Sequence, residues 1–122
     1  MKKQHILLVE DDQFIQTLYR DLLKDAGYEV VAVDDGRKAF DQIKKDQWSL
    51  ILLDVMIPSI TGFEIIAKIK KEKVKVKTPI VFLTNLDSNE EDKKKLKLAK
   101  DYWIKSDMNP KQFLEKVANI LR

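Results

Sequence analysis

The alternation of short apolar runs with longer segments of helical period, repeated five times, most constrains how this chain can fold. The apolar runs begin near residues 6, 29, 50, 80 and 102, and the segments between them place apolar residues three or four positions apart. This spacing is typical of amphipathic helices, and strands that alternate with helices form βαβ units on a parallel sheet. The sequence therefore predicts a three-layer α/β fold in which helices cover both faces of a five-stranded parallel sheet.

Capping residues mark where the predicted helices begin and end. Asp12 is the expected N-cap of a first helix over residues 13–26, and Gly27 is its expected C′ residue in the left-handed conformation. The apolar face predicted for this helix carries Phe14, Leu18, Leu22 and Leu23. Further helices are predicted over residues 36–45, from residue 62, up to residue 99 after a capping box at 88–91, and from Pro110 after the N-cap Asn109.

Length and composition exclude several classes of protein. A chain of 122 residues suits one domain, and the lack of cysteine excludes a disulfide scaffold and is compatible with the cytoplasm. No apolar segment is long enough for a signal peptide or for the roughly 20 residues of a membrane span. The formal net charge is +3, but no aromatic residues interleave the lysine runs at 68–77 and 93–100. We therefore expect a cytoplasmic protein that binds neither membrane nor nucleic acid.

Reactive polar residues stand where four of the five apolar runs end. Glu10 and Asp11 follow the first run, Asp54 the third, Thr84 the fourth and Lys105 the last. Because parallel strands end at the same edge of a sheet, this edge would hold three carboxylates, a hydroxyl and an ammonium. Such a set suits a divalent cation and a phosphoryl group at an aspartate.

The strand order decides which of these residues face each other. A flavodoxin-like order, 2-1-3-4-5, places the first and third strands side by side, so that Glu10 and Asp11 face Asp54. Magnesium prefers oxygen ligands and often takes only one or two carboxylates with waters and a phosphate oxygen. Three neighbouring carboxylates also repel one another unless a cation is present. The sequence therefore predicts a Mg²⁺ site formed by these three residues.

The chain resembles the receiver domain of response regulators in two-component signalling over its whole length. The motifs that carry the resemblance are LVEDD at residues 8–12, LDVMIP at 53–58 with Gly62, Leu83-Thr84, and YWIK at 102–105. The resemblance implies that Asp54 accepts a phosphoryl group from the phosphohistidine of a sensor histidine kinase or a phosphotransfer protein. It also implies that Glu10, Asp11, Asp54 and the backbone carbonyl of Met56 hold Mg²⁺.

The resemblance implies roles for the last two strand ends as well. Lys105 would pair with the phosphoryl oxygens, and the hydroxyl of Thr84 would hydrogen-bond to one of them. Tyr102 would move with Thr84 and so change the surface around the fourth helix, the fifth strand and the fifth helix. The expected function is a phosphorylation-dependent switch that signals to a downstream protein by contact at that surface.

The sequence departs from the family pattern beside the expected site. Ser106 replaces the usual proline after Lys105, and because a non-proline cis peptide costs about 2.5–4 kcal/mol, we predict a trans peptide there. Asn85 is larger than the residue that commonly follows the threonine, and it would narrow or contact the phosphoryl entry. Met56 and Leu86 occupy the positions that tune hydrolysis of the acyl phosphate. Since neither can orient a water strongly, we predict slow autodephosphorylation.

Other readings of the chain fit less well or remain open. A haloacid-dehalogenase-type hydrolase needs a second carboxylate at the position of Met56, and a flavodoxin-type cofactor site needs a loop without the acids at 10–12. A receiver-like interaction module that works without phosphorylation is the remaining alternative. We expect residues 1–122 to be a single receiver domain without an output domain. It would be a phosphoacceptor rather than a metabolic enzyme, either monomeric or dimerising on phosphorylation.

Overall fold

Five strands alternate with helices in the computed structural model, which describes residues 3–85 and 90–122. The strands are β1 His5–Val9, β2 Glu29–Val33, β3 Leu50–Asp54, β4 Ile80–Thr84 and β5 Asp101–Ile104. The helices are α1 Gln13–Asp25, α2 Gly36–Ile43, α3 Gly62–Lys71, α4 Glu90–Leu96 and α5 Pro110–Leu121, with a 3₁₀ turn at Lys105–Asp107. The predicted alternation of strands and helices is confirmed.

The strands form one parallel sheet in the order β2-β1-β3-β4-β5. Val9 pairs in register with Leu53, Asp54 with Leu83, and Thr84 with Ile104. The flavodoxin-like order predicted from the sequence is therefore confirmed. This register brings the ends of β1, β3, β4 and β5 to the same edge.

Two apolar cores cover the two faces of the sheet. One contains Ala39 of α2, Ile65 of α3 and Leu96 of α4, packed on side chains from the central strands. The other contains Leu23 of α1 and Phe113 of α5. Because β1, β3 and β4 are covered on both faces, they are apolar almost throughout, as expected for strands of a parallel sheet. In the described part of the chain, no helix has the length and hydrophobicity needed to cross a membrane.

The buried face of α1 differs from the predicted one. Phe14 is 79% exposed and Leu18 is 38% exposed, so their placement on one core-facing stripe was wrong. The buried residues of this helix are Gln16, Tyr19 and Leu23. Gln16 can be buried because its side-chain amide donates hydrogen bonds to the backbone carbonyls of Glu10, at 2.8 Å, and Val33, at 3.3 Å. Burying a polar group costs little free energy when the group is hydrogen-bonded. The helix can therefore bury Gln16 and leave Phe14 on its exposed side.

The predicted caps of α1 and α5 are confirmed, whereas α2 ends at Ile43, two residues before the predicted end. Asp12 accepts a hydrogen bond from the amide of Ile15, and Gly27 has a φ of +99°. Asn109 caps α5 by accepting from the amide of Gln112. The capping box predicted at 88–91 lies outside the residues whose placement or side chains are described. Helix α4 ends at Leu96 rather than near residue 99, because the next amides bond three residues back instead of four.

Candidate functional site

The carboxyl edge of the sheet forms a cleft where the predicted site residues meet. Its volume is about 310 Å³. It is lined by Glu10, Asp11, Asp12, Ile15, Asp54, Met56, Thr84, Asn85 and Lys105. The strand register accounts for this convergence, because all of these residues except Ile15, which is on α1, lie at or just beyond the ends of β1, β3, β4 and β5. The structure thus brings together most of the residues singled out in the sequence.

Lys105 forms a buried ion pair with two carboxylates at the floor of the cleft. Its Nζ donates to Asp54 Oδ2 at 2.7 Å and to Glu10 Oε1 at 2.5 Å. All three side chains are buried, and the two bonds join residues 51 and 95 positions apart in the chain. Buried charges are tolerated when they are paired and hydrogen-bonded, as these are.

The surroundings of this ion pair alter the pKa values of two of its members. Burial raises the pKa of the Glu10 carboxyl above its ordinary value, against the opposing effect of the hydrogen bond from Lys105, and nearby Asp54 raises it further. Burial alone would lower the pKa of the Lys105 ammonium. Its hydrogen bonds to Asp54 and Glu10, with the charges of both carboxylates, outweigh burial and raise that pKa. Lys105 is therefore a cation throughout the physiological range.

The three carboxylates at the edge have the geometry of a metal site. One ligand oxygen from each of Glu10, Asp11 and Asp54 lies within 4.8 Å of the others. Lys105 supplies one positive charge against these three groups, so the cleft retains an excess of acidic groups. Hard oxygen ligands at this spacing fit Mg²⁺. The predicted carbonyl ligand belongs to Met56, whose amide donates to Asp54 Oδ1 at 3.2 Å.

Thr84 presents a hydroxyl that fits an oxyanion in the cleft. The residue is only 2% exposed, and its Oγ1 has no hydrogen-bond partner among the described residues. Buried hydroxyls without partners are uncommon and call for an explanation. A phosphoryl oxygen bound in the cleft would supply the missing partner.

The two adjacent aromatic residues of β5 lie on opposite faces, as predicted. Trp103 is buried, packs edge-on against Phe113 with ring centroids 6.3 Å apart, and donates from its indole nitrogen to Asp101. Tyr102 is 42% exposed and does not line the cleft. Trp103 is thus a packing residue, while Tyr102 is available to change position at the surface.

The outcomes for the other predicted residues differ. Lys105–Ser106 is a trans peptide, as predicted, and leads into the 3₁₀ turn. Asn85 is exposed and lines the cleft. Met56 is 70% exposed at the rim of the cleft, whereas Leu86 lies outside the described residues.

A set of contacts outside the cleft was not predicted from the sequence. Ser59 and Asp35 are joined by a hydrogen bond of 2.6 Å across 24 residues of chain. An aspartate followed by glycine at the start of α2 is a signal for an N-cap, but nothing in the sequence pairs it with Ser59. The role of Gly62 became clear only in the structure, where a Cβ at this position would lie 2.7 Å from the carbonyl oxygen of Asp54.

Comparisons with known proteins agree with this fold. The family model of the response regulator receiver domain matches residues 6–118. The alkaline phosphatase synthesis transcriptional regulatory protein PhoP of Bacillus subtilis is 32% identical over 117 residues, which are 96% of this chain and 48% of PhoP. This chain spans about half the length of the curated relatives it matches.

Two solved structures are similar over nearly the whole chain. The chemotaxis response regulator CheY4 of Vibrio cholerae superposes with a TM-score of 0.85 at 32% identity, covering 98% of this chain and 100% of CheY4. The response regulator TrrA of Thermotoga maritima, solved in complex with Mg²⁺-BeF, gives a TM-score of 0.82 at 30% identity, covering 97% of this chain and 99% of TrrA. The chain belongs to the response regulator receiver domain family.

Proposed function

We propose that this protein is a signalling switch in which Asp54 accepts a phosphoryl group with the help of Mg²⁺. The observation that carries the proposal is the Lys105 ammonium bound between Asp54 and Glu10, at the floor of a cleft that also holds Asp11 and the hydroxyl of Thr84, which has no partner within residues 3–85 and 90–122. The donor is the phosphohistidine of a sensor histidine kinase or of a phosphotransfer protein.

The transfer exchanges one bond to phosphorus for another. A carboxylate oxygen of Asp54 attacks the phosphorus, an acyl phosphate P–O bond forms, and the P–N bond to the donor imidazole breaks with its electron pair going to the imidazole. Phosphoryl transfer depends mainly on positioning and on neutralising charge at the equatorial oxygens. Lys105 would neutralise part of the charge on these oxygens, and a Mg²⁺ ion held by Glu10, Asp11 and Asp54 would supply further positive charge.

The same residues account for metal binding. Glu10, Asp11 and Asp54 offer carboxylate oxygens within reach of one ion, and the carbonyl of Met56 is the proposed fourth protein ligand. TrrA, at 30% identity, was solved with Mg²⁺-BeF, which supports a magnesium-dependent site in this family. The only chemistry that we assign to this protein is its own phosphorylation and dephosphorylation.

The switch begins at the hydroxyl of Thr84. This residue pairs in register with Ile104 on β5, two residues after the half-exposed Tyr102. A phosphoryl oxygen that draws the hydroxyl inward changes the space behind β4 and allows Tyr102 to move. The signal then leaves as a protein–protein contact on the face formed by α4, β5 and α5.

The partner that delivers the phosphoryl group docks beside the cleft on α1. Phe14 and Leu18 are exposed there, and a second cleft of about 250 Å³ includes Leu18, Met108 and Pro110. The two clefts are continuous, because Ile15, Asn85 and Lys105 line both. A phosphohistidine presented on an apolar helical surface would reach Asp54 from this side. In this proposal, residues 1–122 form one cytoplasmic receiver unit that binds proteins, and it is monomeric until phosphorylation allows it to dimerise.

Intact-mass spectrometry tests the proposal directly. The protein is incubated with Mg²⁺ and acetyl phosphate, or with a phosphorylated histidine kinase domain, beside Asp54→Asn and Asp34→Asn variants. We expect one Mg²⁺-dependent phosphoryl adduct on the wild type and on Asp34→Asn, which changes a half-exposed carboxylate outside the cleft, and none on Asp54→Asn. A folded wild type that takes no phosphoryl group from either donor would instead favour the phosphorylation-independent interaction module.

A further inference from the structure

The loop between β3 and α3, residues 55–61, is held at its first half by the neighbouring strand β4 and by the start of α3. The amide of Val55 donates to the carbonyl of Leu83 at 3.1 Å, and the amide of Gly62 returns to the carbonyl of Val55 at 2.8 Å. Val55 and Ile57 are buried, whereas Met56 between them is exposed. The buried neighbours determine how the Met56 peptide sits at the edge of the cleft.

The second half of this loop is held by the start of α2. The amide of Gly36 donates to the carbonyl of Pro58 at 3.0 Å, and the hydroxyl of Ser59 donates to Asp35 Oδ2 at 2.6 Å. The other carboxylate oxygen of Asp35 caps α2 by accepting from the amides of Arg37 and Lys38. One carboxylate therefore ties the loop to a helix that is itself anchored in the core.

Close backbone packing and an unfavourable backbone torsion both indicate that specific residues maintain this contact. A Cβ on Gly36 would lie 2.1 Å from the carbonyl oxygen of Ile60, so only glycine permits the approach. Ser59 has a φ of +73°, in the left-handed region that residues other than glycine rarely adopt. Such a conformation persists when surrounding contacts determine it, and here these contacts are the bonds to Asp35 and Gly36.

We propose that Asp35 and Ser59 are positioning residues for the metal site, which hold the loop so that the Met56 carbonyl stays in place for Mg²⁺. Neither residue touches the cleft; both act through the loop that follows Asp54. Loss of a supporting contact behind a metal ligand typically weakens metal affinity about 10- to 100-fold. Since Met56 supplies one ligand of several, the lower end of that range applies. The inference rests on the proposed function, because the carbonyl matters only if the cleft binds Mg²⁺.

Direct Mg²⁺ titration of the unphosphorylated protein, followed by calorimetry or by amide chemical shifts, tests this role without any measurement of phosphorylation. Ser59→Ala removes the hydroxyl but keeps a Cβ at the same torsion, and we expect its Mg²⁺ dissociation constant to rise about tenfold. Ser59→Gly removes the hydroxyl and relieves the torsion, so it should weaken binding similarly. Asp35→Asn retains the capping oxygen and can donate to the Ser59 hydroxyl, so we expect it to bind nearly as the wild type does.

Two controls separate this inference from the proposed function. Asp34→Asn removes the half-exposed negative charge next to Asp35, which pairs with Lys38 at 3.3 Å, and its affinity should match the wild type. Glu10→Gln alters the site itself and should weaken binding strongly. If Glu10→Gln weakens binding while Ser59→Ala and Ser59→Gly do not, the positioning role is refuted and the metal site stands. If Glu10→Gln also binds Mg²⁺ as the wild type does, the metal site of the proposed function fails.

A kinetic readout distinguishes positioning from general structural damage. Phosphorylation by acetyl phosphate is measured as a function of Mg²⁺ concentration. Ser59→Ala should require about tenfold more Mg²⁺ for half-maximal rate yet reach the wild-type rate at saturation. A lowered saturating rate with unchanged Mg²⁺ requirement would overturn the proposal.

Discussion

Replacing Lys105 with methionine should expose how much the fold depends on the ion pair in the cleft. Methionine fills a similar volume without the charge, so Asp54 and Glu10 lose the ammonium that lies 2.7 Å and 2.5 Å from them. At an effective dielectric of about 20, each of these attractions is worth roughly 6 kcal/mol before desolvation is counted. Desolvation of three buried charges offsets most of that sum.

The net effect of removing one partner of a buried ion pair is about 3–5 kcal/mol. Because the cleft opens to solvent on one side, we expect a loss near the lower end, about 3 kcal/mol of unfolding free energy. For a domain of this size, that corresponds to a fall in Tm of about 12 °C. Mg²⁺ should restore part of the loss, since an ion that binds the folded state stabilises it.

The assay is urea unfolding at pH 7, followed through the fluorescence of the buried residues Trp48 and Trp103, in EDTA and in Mg²⁺. Lys111→Met serves as the matched control, because Lys111 is exposed and outside the cleft. It should leave the unfolding free energy unchanged. A Lys105→Met protein within about 1 kcal/mol of the wild type in EDTA would refute the view that these carboxylates need the ammonium.

Three further predictions concern the rim, the loop and the docking face. Met56→Asn should shorten the lifetime of the phosphorylated protein, because an amide can orient the attacking water; an unchanged lifetime in a phosphate-release assay would contradict this. The hydrogen bond from Ser59, followed by those from backbone amides, holds the pKa of Asp35 below its ordinary value. The stability that the ionised Asp35 carboxylate contributes is therefore present above about pH 3.9 and lost as pH falls through the pKa of Asp35 in the folded protein. Carbon-13 NMR titration should show the pKa of Asp35 returning upward in Ser59→Ala, and no change would count against the bond. Phe14→Ser should raise the KM for a phosphorylated kinase by about tenfold, while phosphorylation by acetyl phosphate and stability stay unchanged, because Phe14 is exposed. Equal KM values would remove α1 from the docking face.

Most of the fold was predictable because its signals are local or periodic. Apolar runs that are buried on both faces identify β1, β3 and β4, and side-chain caps such as Asp12 and Asn109 identify helix starts. Parallel strands must then end at one edge, so the sequence is enough to place Glu10, Asp54 and Thr84 together.

The rotation of α1 was not predictable from its apolar residues. The spacing of Phe14 and Leu18 fits a buried stripe, but the helix instead buries Gln16, whose amide satisfies the carbonyls of Glu10 and Val33. A sequence pattern counts glutamine as polar and hence exposed. Only the packed structure shows that its hydrogen bonds are met inside the protein.

The sequence by itself thus determined the alternation of strands and helices and the reactive residues that stand at the strand ends, with Ser106 instead of a proline after Lys105. The strand order was taken from the flavodoxin-like topology, and the structure confirms it. Tertiary structure decided which charges pair and what supports the site. Lys105 reaches Glu10 as well as Asp54, across 95 residues of chain, and Asp35 reaches Ser59 across 24. These contacts depend on strand register, buried neighbours and a left-handed torsion, which act between segments far apart in the chain. Local propensities carry no information about such distances, so the physical basis of the site appears only once the chain is folded.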